Sequence, residues 1–170
     1  MQSRTKKLVL TAILGALATL TFLIESLFPP LIIPGAKMGL ANIFVLLALF
    51  ILGKSYAFGV LLIKILLGSL FSSNVSAIIY SLPSGIIALL SEILLLFLLK
   101  RVSIVCISIC GAVLSITLQN VVFCLITNTV EYLFYLPYLA VIGVLSGLIV
   151  GFACYLILKF TYFTKIIKGE

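Results

Sequence analysis

The chain has 170 residues, of which 64% are hydrophobic and only 9% charged, with a formal net charge of +7 and a mean hydropathy of +1.44. Soluble domains carry about 25% charged residues, so this composition excludes a water-facing globular surface and points to an all-α integral membrane protein. Histidine, tryptophan and aspartate are absent and the acids are Glu25, Glu92, Glu131 and Glu170, which removes histidine metal sites, Ser-His-Asp triads and aspartate-held magnesium.

Taken in order, Arg4, Lys6 and Lys7 precede an apolar run over 8–28, about 30 Å long as a helix and so a span rather than a short signal core. Pro29-Pro30 end it. A second helix is expected over 34–52, opened by Pro34, whose fixed φ suits a first helical turn, and closed at Gly53-Lys54. Lys37 in that first turn adds charge to an already positive helix end, so a negative partner is expected there, either Glu25 or a bound anion.

Further helices are predicted over 56–71, over 77–99 with an interruption at Pro83-Ser84-Gly85, over 102–126 and over 136–159, with 128–135 as an interfacial turn. The whole of 1–170 thus reads as a single six-transmembrane-helix bundle. Arg4, Lys6, Lys7, Lys54, Lys100, Arg101, Lys159, Lys165 and Lys168 fall on one side of it and only Lys37 on the other. Basic residues are retained in cytoplasmic loops, so both termini are placed in the cytoplasm. The same rule accounts for the positive charge without nucleic acid. Tyr132, Phe134, Tyr135 and Tyr138 lie at the outer boundary, where amphipathic rings settle. Asn74-Val75-Ser76 matches a glycosylation sequon, a signal without meaning in a bacterium.

Cys106, Cys110, Cys124 and Cys154 sit in apolar runs with no soft ligand beside them and read as small hydrophobic filler. Gly53-Lys54-Ser55 resembles the end of a phosphate-binding loop but lacks the upstream glycine. No catalytic residue, metal or cofactor is expected.

Lys64 and Glu92 stand inside predicted helices at similar depths, roughly 10–13 Å from the cytoplasmic ends. Charges in hydrocarbon face partners or a cavity, so the two are expected either to form an intramembrane ion pair or to line a site. Glu25, Lys37, Asn42, Gln119 and Asn120 fall in the outer half and are read as a substrate-binding pocket open to the outside, the alternative being interhelical packing bonds. Gly143, Gly147 and Gly151 make a smooth groove on the last helix, suited to packing within the bundle. Ala12 and Ala16 form a small-residue face on the first helix, a candidate partner-docking surface.

The run PGAKMGLANI at 34–43, followed by Leu46-Leu47-Ala48-Leu49, Gly53, Leu66-Leu67-Gly68-Ser69-Leu70 and Tyr135-Leu136-Pro137, resembles a small bacterial membrane family. That family carries two names, Gx transporter and heptaprenyl diphosphate synthase component I. It is similar in turn to the substrate-binding S components of energy-coupling-factor transporters, six-helix proteins with both termini inside. This resemblance implies a bacterial cytoplasmic (inner) membrane location and a pocket entered from outside near Glu25, Lys37 and Asn42. It also implies docking of a membrane coupling (T-type) subunit, with its ATPase subunits, on Ala12 and Ala16. The synthase name implies instead a non-catalytic membrane subunit beside a soluble prenyl diphosphate synthase subunit. Such synthases resemble one another in aspartate-rich DDxxD motifs, and this chain has no aspartate.

Overall fold

The computed structural model describes residues 4–27, 39–72, 75–99 and 102–168, with 161–168 described by their backbone. Six α-helices are present among them: α1 (Arg4–Leu27), α2 (Asn42–Ile51), α3 (Lys54–Phe71), α4 (Ala77–Leu98), α5 (Ile104–Thr127) and α6 (Leu136–Lys168). A 3-10 helix, η1 (Val130–Tyr135), joins α5 to α6. No strand occurs among the described residues, and five of the helices are long and apolar enough to cross a membrane. Large apolar side chains such as Leu20, Ile24, Phe97, Phe152 and Phe160 face outward. Water would not tolerate so broad an apolar surface, whereas lipid does. The chain is a multi-pass membrane protein.

The expected second helix is shorter than its sequence pattern. Helix α2 has 10 residues, about 15 Å, and begins at Asn42 rather than Pro34. Gly39 takes a positive φ of 74° and ends any helix running through it. Turn bonds from Asn42 N–H to the Gly39 carbonyl (2.9 Å) and from Ile43 N–H to the Leu40 carbonyl (3.1 Å) then start α2. Pro34 and Lys37 lie outside the described residues, as do Pro29-Pro30, Asn74 and the Lys100-Arg101 pair. Five successive α2 residues, Val45 to Leu49, are buried. A helix apolar all round belongs in a core, and α2 packs against α1, α3 and α6.

Two other expectations are corrected. The Pro83-Ser84-Gly85 interruption does not occur: α4 continues through it. Proline lacks the N–H that would bond the carbonyl four residues back, and the Ser84 hydroxyl donates to the neighbouring carbonyls of Tyr80 (2.8 Å) and Ser81 (3.1 Å). The last helix does not stop near Lys159 but runs to Lys168, since no glycine or proline lies between Gly151 and Lys168 to break it.

Helices α1 and α3 run in the same direction. Thr11 meets Gly59, Ile63 meets Gly15 and Phe22 meets Gly68, so the residue numbers rise together. Helices α5 and α6 run oppositely. A Cβ on Gly143, Gly147 or Gly151 would lie 2.9, 2.5 or 2.7 Å from the Cα of Val113, Ile109 or Val105. The three glycines therefore serve packing inside the bundle, where only a bare backbone permits this approach. Helix α5 opens on Ser103, whose hydroxyl accepts the Cys106 N–H at 3.2 Å, and closes on left-handed Asn128 (φ 53°).

Candidate functional site

The polar side chains inside the bundle lie on the inward stripes of their helices. On α3 the buried residues are Ala57, Val60, Leu61, Lys64, Ile65, Gly68 and Ser69, a three-four spacing that carries Lys64 to the centre. On α4 the stripe Ala77, Ser81, Ser84, Ala88 and Glu92 does the same for Glu92. Lys64 and Glu92 are 8% and 9% exposed, buried for residues that are almost never fully enclosed without partners.

A cavity of about 50 Å³ lies where α1, the start of α2, α3, α4 and α5 converge. Glu25 and Phe22 contribute from α1, and Gly39, Ala41 and Asn42 from the start of α2. Lys64 enters from α3, Ser81 and Ser84 from α4, and Ser115 and Gln119 from α5. A space of that size holds a few water-sized groups.

The wall is hydrogen-bonded. Glu25 Oε1 accepts the Ala41 N–H at 3.1 Å, so a carboxylate from α1 meets the positive end of α2. Asn42 Oδ1 accepts from the Lys64 ammonium. Gln119 Nε2 donates to Ser81 Oγ at 3.1 Å, tying α5 to α4 across the cavity. The charge of Lys64 acts on both Glu25 and Glu92.

Three of the residues expected to form the pocket, Glu25, Asn42 and Gln119, are thus brought together. Lys37 lies outside the described residues. Asn120 is placed elsewhere: its Nδ2 donates to the Tyr132 carbonyl at 3.0 Å, anchoring η1. Adjacent helix positions point about 100° apart, so Gln119 and Asn120 cannot both face one cavity wall. Around Asn120 the rings of Tyr80, Phe123 and Tyr132 stack edge to face, with centroids 5.9 and 5.5 Å apart.

Lys64, grouped by sequence with Glu92 alone, also lines the cavity. Glu92 is not in its wall but behind it: the carboxyl group fills the space that a side chain on Gly111 would need. Sequence reasoning missed Ser81, Ser84 and Ser115 as lining residues. Ser81 and Ser84 fall on the helical stripe that leads to Glu92, and that spacing was the available signal. Ala12 and Ala16 are exposed on α1, along one edge of the face that buries Thr11, Gly15, Ala18 and Thr19.

Residues 14–157 match a protein family described as heptaprenyl diphosphate synthase component I. No curated protein and no solved structure matches the chain.

Proposed function

Because the chain belongs to the heptaprenyl diphosphate synthase component I family, we propose that it is a membrane-embedded binding subunit that holds a small polar ligand and acts with separate partner subunits. A family member without a single aspartate has no DDxxD motif and is a component rather than the catalytic subunit.

The observation that carries this reading is the cavity wall. Asn42, Lys64, Ser81, Ser84, Gln119 and Glu25 present donors and acceptors to one space enclosed by helices. Buried polar groups converging on a concavity are the usual mark of a ligand site. Lys64 meets an anionic or carbonyl group, Gln119 and the serines orient the remainder, and Glu25 holds the start of α2 in place. Lys37, four residues before Ala41 in the sequence, is proposed as a further contact to an anionic group.

In this reading the chain resembles an energy-coupling-factor S component. Ala12 and Ala16 dock a membrane coupling subunit, and ATPase subunits supply the energy. Both termini are cytoplasmic, in a bacterial inner membrane. The parallel course of α1 and α3 supports this topology, because the chain between them must return across the membrane. A return crossing between α1 and α3, with α2 as part of it, would bring the count to six.

The family description favours a second reading, a non-catalytic membrane subunit of heptaprenyl diphosphate synthase with a soluble, aspartate-rich partner. An apolar, lipid-accessible groove would suit a prenyl chain, whereas the space described here sets Glu25, Asn42, Lys64, Ser81, Ser84 and Gln119 among Phe22, Ile65, Ala112 and Ile116.

Affinity purification of the tagged protein in a mild detergent, with mass spectrometry of what accompanies it, tests the two. A membrane coupling protein with ATPases supports the first reading. A soluble aspartate-rich prenyltransferase replaces it with the second. Native mass spectrometry of the same preparation asks whether a small molecule co-purifies, and whether Gln119→Leu removes it.

A further inference from the structure

We propose that Ser81, Ser115 and Gln119 form an amide-recognition wall in the cavity, so that the ligand carries a carboxamide, lactam or ureide edge. This rests on the cavity being a ligand site and names the chemistry of what enters it. Ser115 and Gln119 are four apart on α5 and stand one above the other on its cavity face. Ser81 of α4 meets that face, its Oγ accepting the Gln119 Nε2–H at 3.1 Å.

The wall has hydrogen-bonding capacity left over. Among the described residues, the Ser115 hydroxyl makes no hydrogen bond, Gln119 Oε1 accepts none and the Ser81 hydroxyl donates none. Ser115 and Gln119 are not sealed among side chains, as the orphan hydroxyl of Ser69 is, but line the cavity. Gln119 Oε1 has only lone pairs to offer, so its partner must donate, whereas the serine hydroxyls can donate to an acceptor beside it. A carboxylate supplies acceptors alone and an ammonium donors alone. An amide supplies both on neighbouring atoms: its N–H donates to Gln119 Oε1 and its C=O accepts from Ser115 or Ser81. Being uncharged, it also enters a space enclosed by apolar helices at a lower cost than an ion. Phe22, Ile65 and Ile116 in the same lining receive the carbon skeleton. The cavity of about 50 Å³ admits a head group of about three to five water-sized units.

Saturation-transfer NMR on the full-length protein in phosphatidylcholine nanodiscs tests this with matched probes: propionamide, propionate and N,N-dimethylpropionamide, which lacks the N–H. Propionamide should bind, and the other two about tenfold more weakly or worse, since each leaves Gln119 Oε1 without a donor. Ser115→Ala should weaken propionamide about three- to tenfold, the scale of one hydrogen bond. It should unfold at the wild-type temperature, because the lost hydroxyl has no protein partner. Gln119→Leu should abolish binding; if losing the bond to Ser81 prevents its folding, Ser115→Ala still decides. Equal binding of N,N-dimethylpropionamide, a preference for propionate, or unaltered affinity in Ser115→Ala overturns the amide assignment and leaves the wider ligand-site reading standing. Binding of none of the probes also overturns the assignment, and co-purification of a small molecule in native mass spectrometry decides the wider reading separately.

Discussion

The Glu25 carboxylate of α1 accepts the backbone N–H of Ala41 at 3.1 Å, immediately before α2 begins. An acid sixteen residues upstream thus does for α2 what an N-cap side chain does within a helix. No side-chain cap bond is made at its own N-cap, Ala41. A short helix with unsatisfied N–H groups inside a membrane has no water to complete them. The bond therefore ties the position of α1 to the start of α2 and to the cavity between them.

Replacing Glu25 by alanine should lower stability by about 1–2 kcal/mol, the scale of a lost helix cap or charge–dipole contact. Glu25→Gln, which keeps an acceptor, should lose less. Denaturant unfolding in mixed micelles measures both, and equal losses would assign the effect to charge alone.

Lys64 and Glu25 should be energetically coupled. A double-mutant cycle with Lys64→Met and Glu25→Gln is expected to give an interaction energy of about 1–3 kcal/mol. A value near zero would show that the two charges are independent in the bundle.

Gln119 and Asn120 should separate by phenotype. Gln119→Leu removes the bond to Ser81 and a polar group from the cavity, so it should weaken ligand retention in native mass spectrometry. Asn120→Ala frees the Tyr132 carbonyl and should instead speed proteolysis at η1 while ligand retention is unchanged.

Gly147→Val should damage folding itself. Any Cβ there would lie 2.5 Å from the Ile109 Cα, and backbone cannot step aside as a side-chain end can. Overpacking of this kind costs about 1–3 kcal/mol or more, and a lower yield of monodisperse protein on size-exclusion chromatography checks it. By contrast Ala12→Leu with Ala16→Leu lies on an exposed face. That pair should leave the chain folded and block association with a membrane partner in the same pull-down.

The sequence by itself determined the membrane class, because a chain this apolar has no other stable environment. It also located α3, α4 and α5 to within a few residues, since their apolar runs end at glycine, serine or basic residues. It placed Lys64 and Glu92 inside helices, where their cost made them conspicuous. What it could not decide was which polar groups meet. Gln119 and Asn120 are neighbours in the chain, but the helical turn sends one to the cavity and the other to η1. Depth along the bilayer left open whether Lys64 pairs with Glu92 or lines a site; the donation of its ammonium to Asn42 on another helix was not legible, because side-chain reach and helix azimuth are not functions of depth. Only the tertiary structure delayed the start of α2 until after Gly39 and carried α4 through Pro83. The first outcome turns on a backbone torsion: a glycine at positive φ breaks a helical ladder.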